Sequence, residues 1–160
     1  MANQKADAEE IRSISKNRRA LYEYEIIECI ECGVVLVGTE VKALREGHCS
    51  LEEAYAKLDA GEMWLVGCEI PEYKQGNRLN HKPKRTRKLL LHRREIEKFA
   101  GKATQRGFTL VPLRIYFKEG RAKVEIAVAK GKQLHDKRDT LKDKDAKRDI
   151  ARATAARRRV

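Results

Sequence analysis

Seven cations fall within thirteen residues between Lys82 and Arg94 (Lys82, Lys84, Arg85, Arg87, Lys88, Arg93 and Arg94), with no acid among them. Like charges at that density repel one another and call for a counter-charge, which the phosphates of a folded RNA supply. Leu89, Leu90 and Leu91 interrupt the run and pin it to a folded body, so the charges sit on a rigid surface. A second cluster, His135-Asp136-Lys137-Arg138, offers a histidine as general base. Acid–base work needs side chains held within hydrogen-bond reach of a substrate, and the polar sequence around this cluster does not preorganise it. His81 and His92 flank the basic run, and a His–Lys pair can in principle cleave RNA. No paired acid or metal cluster accompanies them, which argues against a ribonuclease. Cys29-x-x-Cys32 suggests zinc, but structural zinc takes four ligands. Cys49 and Cys68 stand singly, with His48 the one near neighbour, so the cysteines read as small buried thiols. No metal and no cofactor are expected, and neither a glycine-rich phosphate loop nor a nucleophile elbow is present.

The whole chain supports a polyanionic partner. Its 160 residues hold 36 Lys plus Arg against 24 Asp plus Glu, a formal charge of +12. Such a balance fits nucleic acid or an anionic membrane surface. No apolar run approaches the roughly 20 residues that span a bilayer. The start of the chain has neither the apolar stretch of a secretory signal nor the composition of a transit peptide. Four cysteines without an export signal are expected to be reduced thiols, and the expected location is cytoplasmic.

The charge divides unevenly. From Lys130 to Val160 twelve basic residues face five acids, so this stretch carries +7 of the total. Its large apolar side chains are Leu134, Leu141 and Ile150, too few to offset the entropy of ordering the segment. The tail is expected to be a free arm that folds on a partner. Upstream the periodicities predict a small β-rich domain. Tyr22, Tyr24 and Ile26 alternate with Glu23 and Glu25 as a strand with one dry face. Glu31-Cys32-Gly33 reads as a turn, and 34–37 as a short strand buried on both faces. Thr39 is placed to cap a short helix bearing Val41 and Leu44. Leu51, Ala54, Tyr55 and Leu58 also fit a helical template, but Asp59-Ala60-Gly61-Glu62 is turn chemistry, which favours a hairpin whose second strand runs over 63–70. A polar loop over 71–83 precedes an amphipathic helix with Ile96, Phe99, Ala100 and Ala103 on one face. Strands over 111–117 and 124–128 flank a Glu119-Gly120 turn. The predicted fold is dominated by β-structure: an OB-like closed barrel of about six strands, two or three short flanking helices and a basic C-terminal tail. The RNP aromatic signature is missing, and the nine aromatics fall mostly on strand faces, so recognition should lean on phosphates and RNA shape.

Several segments together resemble the SsrA-binding protein (small protein B) family, the bacterial partners of transfer-messenger RNA. They are Asn17-Arg18-Arg19-Ala20, Tyr24, Glu31-x-Gly33, 38–45 (Gly-Thr-Glu-Val-Lys-Ala-Leu-Arg), 85–92 (Arg-Thr-Arg-Lys-Leu-Leu-Leu-His), 128–132 (Val-Ala-Lys-Gly-Lys) and 135–138. The resemblance covers about 15–142. It implies an OB-like barrel over 15–130, a flexible extension over 1–14, and a tail over 131–160 that is disordered when free and helical on the ribosome. It implies a non-enzymatic adaptor that binds the transfer-RNA-like domain of transfer-messenger RNA, as a monomer in a one-to-one complex, and delivers it to stalled ribosomes. The RNA-binding positions it points to are Glu31, Leu90 and His92; Asn17, Arg19 and Tyr24, and from the basic run Lys84, Arg85, Arg87 and Lys88, are expected as further RNA contacts. Lys130, Gly131, Lys132, His135, Asp136, Lys137 and Arg138 would enter the decoding centre and messenger channel of the small subunit. Tyr22 stands where the family often has histidine, and Gln133-Leu134 interrupts a stretch that is often richer in lysine. A basic ribosomal protein with an extended tail is the alternative, and the 135–138 word speaks against it.

Overall fold

A computed structural model describes residues 11–157, together with the side chains of all but Leu134, His135 and Arg157. The elements in chain order are β1 (Ile11–Lys16), α1 (Arg18–Glu23), β2 (Tyr24–Val34), α2 (Gly38–Arg45), β3 (Tyr55–Asp59), β4 (Glu62–Val66), β5 (Arg87–Leu90), α3 (Arg93–Ala103), β6 (Phe108–Lys118), β7 (Arg121–Gly131) and α4 (Leu134–Arg157). The strands form one antiparallel sheet in the order β1-β6-β3-β4-β5-β2-β7, and β6 also pairs with β7. That last pairing joins six strands in a ring, with β1 added along β6. Among the described residues no helix is long and apolar enough to cross a membrane.

Two hairpins follow directly from turn chemistry. β3 and β4 are joined through Ala60 (φ 49°) and Gly61 (φ 75°), and β6 and β7 through Glu119 (φ 50°) and Gly120 (φ 72°). Positive φ at both central residues is the turn whose twist matches the flanking strands. The second strand of the first hairpin stops at Val66 rather than Ile70, because Gly67 (φ 75°) turns the chain. A Cβ at that position would meet the Glu53 carbonyl at 2.7 Å. The side chains inside the ring, including Leu44, Met63, Leu65, Leu89, Phe99, Val124 and Ile126, form the main core. A smaller core of Ala20, Val111, Ala127 and Ala129 lies under α1 on the outer face of β6 and β7.

Among the described residues three short helices flank the sheet, within the expected two or three, and the tail adds a fourth, α4. Several expectations are corrected. Ile11–Lys16 is a strand paired with β6, so the sheet starts upstream of residue 15. Tyr22 lies in α1 and therefore shares no strand face with Tyr24. Glu31-Cys32-Gly33 is no turn: β2 runs straight through it, opposite Glu125, Val124 and Lys123. Gly33 serves close approach instead, since a Cβ there would meet Leu90 Cβ at 3.1 Å across the β2–β5 pair. The expected strand over 34–37 is only the end of β2. The cap of α2 is Val37, whose N–H donates to Glu40 Oε2 at 2.9 Å, while Thr39 Oγ1 hydrogen-bonds His81 Nδ1 at 2.8 Å. Cys29 and Cys32, three apart in a strand, take opposite faces; Cys32 is buried, but Cys29 is exposed.

Where a free arm was expected, the structure has the 24-residue helix α4. Ala, Lys, Arg and Leu favour helix, and Asp139–Lys142, Asp145–Arg148 and Asp149–Arg152 pair at i,i+3. Its root is fastened to the body: Lys132 N–H donates to the Glu23 carbonyl at 2.9 Å and Lys132 Nζ to the Leu21 carbonyl at 3.3 Å. From Leu141 to Ala156 every residue is exposed.

Candidate nucleic-acid interface

The basic run over 82–94 is largely paired within the protein itself. Glu40 on α2 is fully buried and receives Arg87 Nε at 2.8 Å together with Arg85 Nε at 3.1 Å and Nη2 at 2.7 Å. Burial alone would raise the Glu40 carboxyl. The Arg85 hydrogen bond, the Val37 amide and the Arg87 guanidinium outweigh it and hold the group below its ordinary value. Lys84 pairs with Glu53 at 3.1 Å, Lys88 with Glu62, and Arg93 with Glu97 at 3.2 Å. Five of the seven cations therefore meet carboxylates of their own chain.

Arg87 is the clearest revision. It has no exposed surface, and besides Glu40 it donates to the carbonyls of Cys68 (2.6 Å), Arg85 (2.9 Å) and Pro83 (3.1 Å). A guanidinium so enclosed cannot touch a phosphate; it ties the 83–87 segment and the end of the 67–70 turn to α2. Asn17 is equally enclosed. Its Oδ1 accepts from Ala20 N–H at 3.0 Å as the cap of α1, while Nδ2 donates to the carbonyls of Leu51 at 2.9 Å and Pro112 at 3.1 Å. Pro112 sits at a bulge in β6, where the ladder leaves carbonyls without strand partners. Asn17 satisfies one with its side chain, and its N–H donates to the Leu113 carbonyl. His81, which had invited a nuclease reading, is buried between Thr39 and the Ile70 carbonyl, so it stands away from any substrate.

The implied RNA-binding positions Glu31, Leu90 and His92 do converge. Together with Ile30, Gly33, Leu91, Glu95 and Lys123 they line one open hollow of about 490 Å³. β2 supplies the acid, β5 the leucine, and the start of α3 the histidine. His92 caps that helix, its N–H donating to Glu95 Oε2 at 2.9 Å. Leu89 points into the core, so strand alternation turns Leu90 outward, where it is 52% exposed. Glu31 accepts a hydrogen bond from the buried Tyr116 hydroxyl, with Lys118 Nζ at 3.7 Å and Lys123 Nζ at 3.8 Å. The Tyr116 hydrogen bond first, and then the two ammonium groups, hold the Glu31 carboxyl below its ordinary value against the opposing effect of burial. In turn burial, and then Glu31, push the Tyr116 hydroxyl up. The hollow thus combines a fixed carboxylate, an exposed leucine and a lysine, a set suited to amide or hydroxyl donors, a base face and a phosphate.

Arg19 and Tyr24 lie elsewhere, around a second hollow lined also by Glu23, Glu52, Glu53 and Tyr55; Arg19 is exposed and pairs with Glu23 at 2.9 Å. Lys84, Arg85 and Lys88 keep partly exposed heads beside their carboxylates. Lys130 and Gly131 end β7, and Lys132, Asp136, Lys137 and Arg138 follow at the root of α4. The His135 side chain lies outside the described ones. Sequence reasoning missed Tyr116, Lys118 and Lys123 as companions of Glu31, because they meet it only through the pairing of β2, β7 and β6. The inward–outward alternation of Ile115, Tyr116 and Phe117 was the available signal.

The sequence model of the SmpB protein family matches residues 14–156. The SsrA-binding protein of Desulforudis audaxviator is 52% identical over 142 residues, covering 89% of this chain and 93% of that one. The SsrA-binding protein of Bradyrhizobium diazoefficiens is 53% identical over 148 residues, covering 92% and 94%. A chain of the solved structure described as "tmRNA-SmpB: a journey to the center of the bacterial ribosome" superposes with a TM-score of 0.66 at 46% identity, over 76% of this chain and 86% of that one. With a family match over nearly its whole length and relatives above half identity, the chain belongs to the SmpB family of SsrA-binding proteins.

Proposed function

We propose that this protein is a non-enzymatic adaptor of trans-translation, one copy binding the transfer-RNA-like domain of tmRNA and delivering it to ribosomes stalled in the cytoplasm. In this reading the six-stranded ring is an OB-like closed barrel that carries the primary RNA site. The observation that carries the proposal is the convergence of Glu31, Leu90 and His92 on one hollow, from three elements distant in sequence. The fixed carboxylate of Glu31 accepts donors from base or sugar, Leu90 packs against a base face, and Lys123 faces phosphate. Lys84, Arg85 and Lys88 serve as peripheral contacts through their exposed heads, whereas Arg87 and Asn17 act on the RNA only by positioning the strand and helix around them.

The exposed helix α4 serves the ribosome. The ion pairs Asp139–Lys142, Asp145–Arg148 and Asp149–Arg152 lie at the surface, where such pairs are weak, so a phosphate-walled channel can take their cations over. Lys137 and Arg138 contact phosphate there, and Lys130, Gly131, Lys132, His135 and Asp136 set the helix root at the decoding region. The test is a truncation after Gly131, read for both properties on one preparation. The ring stays folded and most tmRNA affinity remains, while tagging of proteins on stalled ribosomes collapses. Survival of tagging would make the tail a dispensable arm. Loss of RNA binding along with tagging would place the tail in the primary RNA site.

A further inference from the structure

Cys49 and Cys68 are nineteen residues apart in sequence, yet their Sγ atoms lie 3.7 Å apart. The segments carrying them are fastened side by side. Ser50 and Glu69 exchange backbone hydrogen bonds of 2.9 and 3.0 Å in an antiparallel bridge. Gly67 closes the chain tightly against residue 53 on one side, and Arg87 Nη1 holds the Cys68 carbonyl at 2.6 Å on the other. Cys68 is fully buried, whereas Cys49 keeps partial solvent contact. Neither thiol has a place in the RNA hollow or the tail.

We propose that Cys49 and Cys68 are a thiol-redox modification site, joined as a reversible disulfide when the protein meets a hydroperoxide. The reaction starts at Cys49, the member of the pair that solvent reaches. Its sulfur, having released its proton to water, attacks one oxygen of hydrogen peroxide; an S–O bond forms, the O–O bond breaks, and the departing oxygen leaves as hydroxide and takes a proton. The Cys68 thiolate then attacks the sulfur of the Cys49 sulfenic acid, the S–S bond forms, and hydroxide leaves. Two electrons have passed from the two sulfurs to the peroxide, and a dithiol reverses the bond by exchange. The sulfurs must close from 3.7 Å to about 2.05 Å, which asks for side-chain rotation and a shift of the 46–49 segment, since the Ser50–Glu69 bridge sets the two cysteines on a diagonal. The hydrogen bond to Cys68, and then burial, push the Cys49 thiol up, so its thiolate is a minor form and the first step is slow; once Cys49 is oxidised and that bond is gone, the Arg87 guanidinium is what favours the Cys68 thiolate for the second attack.

The experiment treats the full chain with hydrogen peroxide, blocks remaining thiols with iodoacetamide and measures intact and peptide masses. The expected result is loss of two hydrogens, a fall in alkylated cysteines from four to two, and a peptide joining Cys49 to Cys68, all reversed by dithiothreitol. Closing the loop also raises the melting temperature of the oxidised form by several degrees. Cys29→Ser keeps the cross-link and Cys49→Ser abolishes it. Four persisting thiols, oxygen added separately to Cys49 and Cys68, or a cross-link between two chains through Cys29 would overturn the proposal. The wild-type masses decide the matter even if Cys49→Ser folds poorly.

Discussion

The 82–94 run and the helix α4 are both cation-rich, yet their charges do opposite work. In the run, Glu40, Glu53 and Glu62 from other segments meet Lys84, Arg85, Arg87 and Lys88, with Arg87 and Glu40 wholly inside the protein, while Arg93 and Glu97 form an exposed i,i+4 pair on α3. In α4 the pairs are i,i+3 contacts of 3.7 to 3.9 Å between side chains at least 60% exposed. Cations whose partners come from distant elements become architecture. Cations whose partners are neighbours on one solvated helix stay available to a polyanion.

Removing the Glu40 carboxylate is the strongest way to break that comparison. Glu40→Ala strands Arg87 as a buried charge without its partner, and about 3–5 kcal/mol of unfolding free energy should be lost in urea denaturation. The acid limb of the stability curve sharpens the point. A carboxyl held below its ordinary value in the fold, as Glu40 is, contributes stability that is fully present above the unfolded value near about 4.3 and is lost as pH falls through the folded one. Wild type should therefore lose stability steeply below about pH 4, and Glu40→Ala should show a shallower acid limb. An unchanged midpoint in the variant would mean that the buried pair does not hold the run in place.

An intermediate effect is expected at Glu31, which belongs both to the hollow and to the sheet. Glu31→Ala leaves the buried Tyr116 hydroxyl without its acceptor, at a cost of about 1–3 kcal/mol, and lowers affinity for the transfer-RNA-like domain. Tyr116→Phe removes only the donor; water reaches the Glu31 carboxylate, 37% exposed, so the stability loss stays under about 1 kcal/mol. Titrating RNA against both variants at matched stability separates the recognition role from the structural one, and equal affinity for wild type and Glu31→Ala would remove Glu31 from the RNA site.

The smallest effect belongs to the tail. Asp149→Asn breaks an exposed i,i+3 pair with Arg152, and thermal unfolding should move by less than about 0.5 kcal/mol. A larger change would show that α4 is tied to the ring more firmly than through Lys132 and its neighbours.

Much of the molecule was legible in the chain. Ala60-Gly61 and Glu119-Gly120 announced their hairpins, and Ile96, Phe99 and Ala103 announced α3, because turn chemistry and helical spacing act within a few residues. β1 and β5 went unread since six and four residues leave too little periodicity to count. At the site, Glu31, Leu90 and His92 were named from motif words, but not the hollow they share, which exists only once β2 and β5 pair at Gly33 and Leu90.

The sequence by itself determined the local turns, the helix-compatible tail, the excess of positive charge and the family to which those words belong. Each of these is a property of residues near one another or of their sum. Only the tertiary structure decided that Arg87 is sealed against Glu40 rather than offered to phosphate, that Gly33 makes room for Leu90, and that Tyr116 fixes Glu31. A charge is exposed or buried according to partners brought from tens of residues away, and the closing of the ring through β6 and β7 sets where those partners stand.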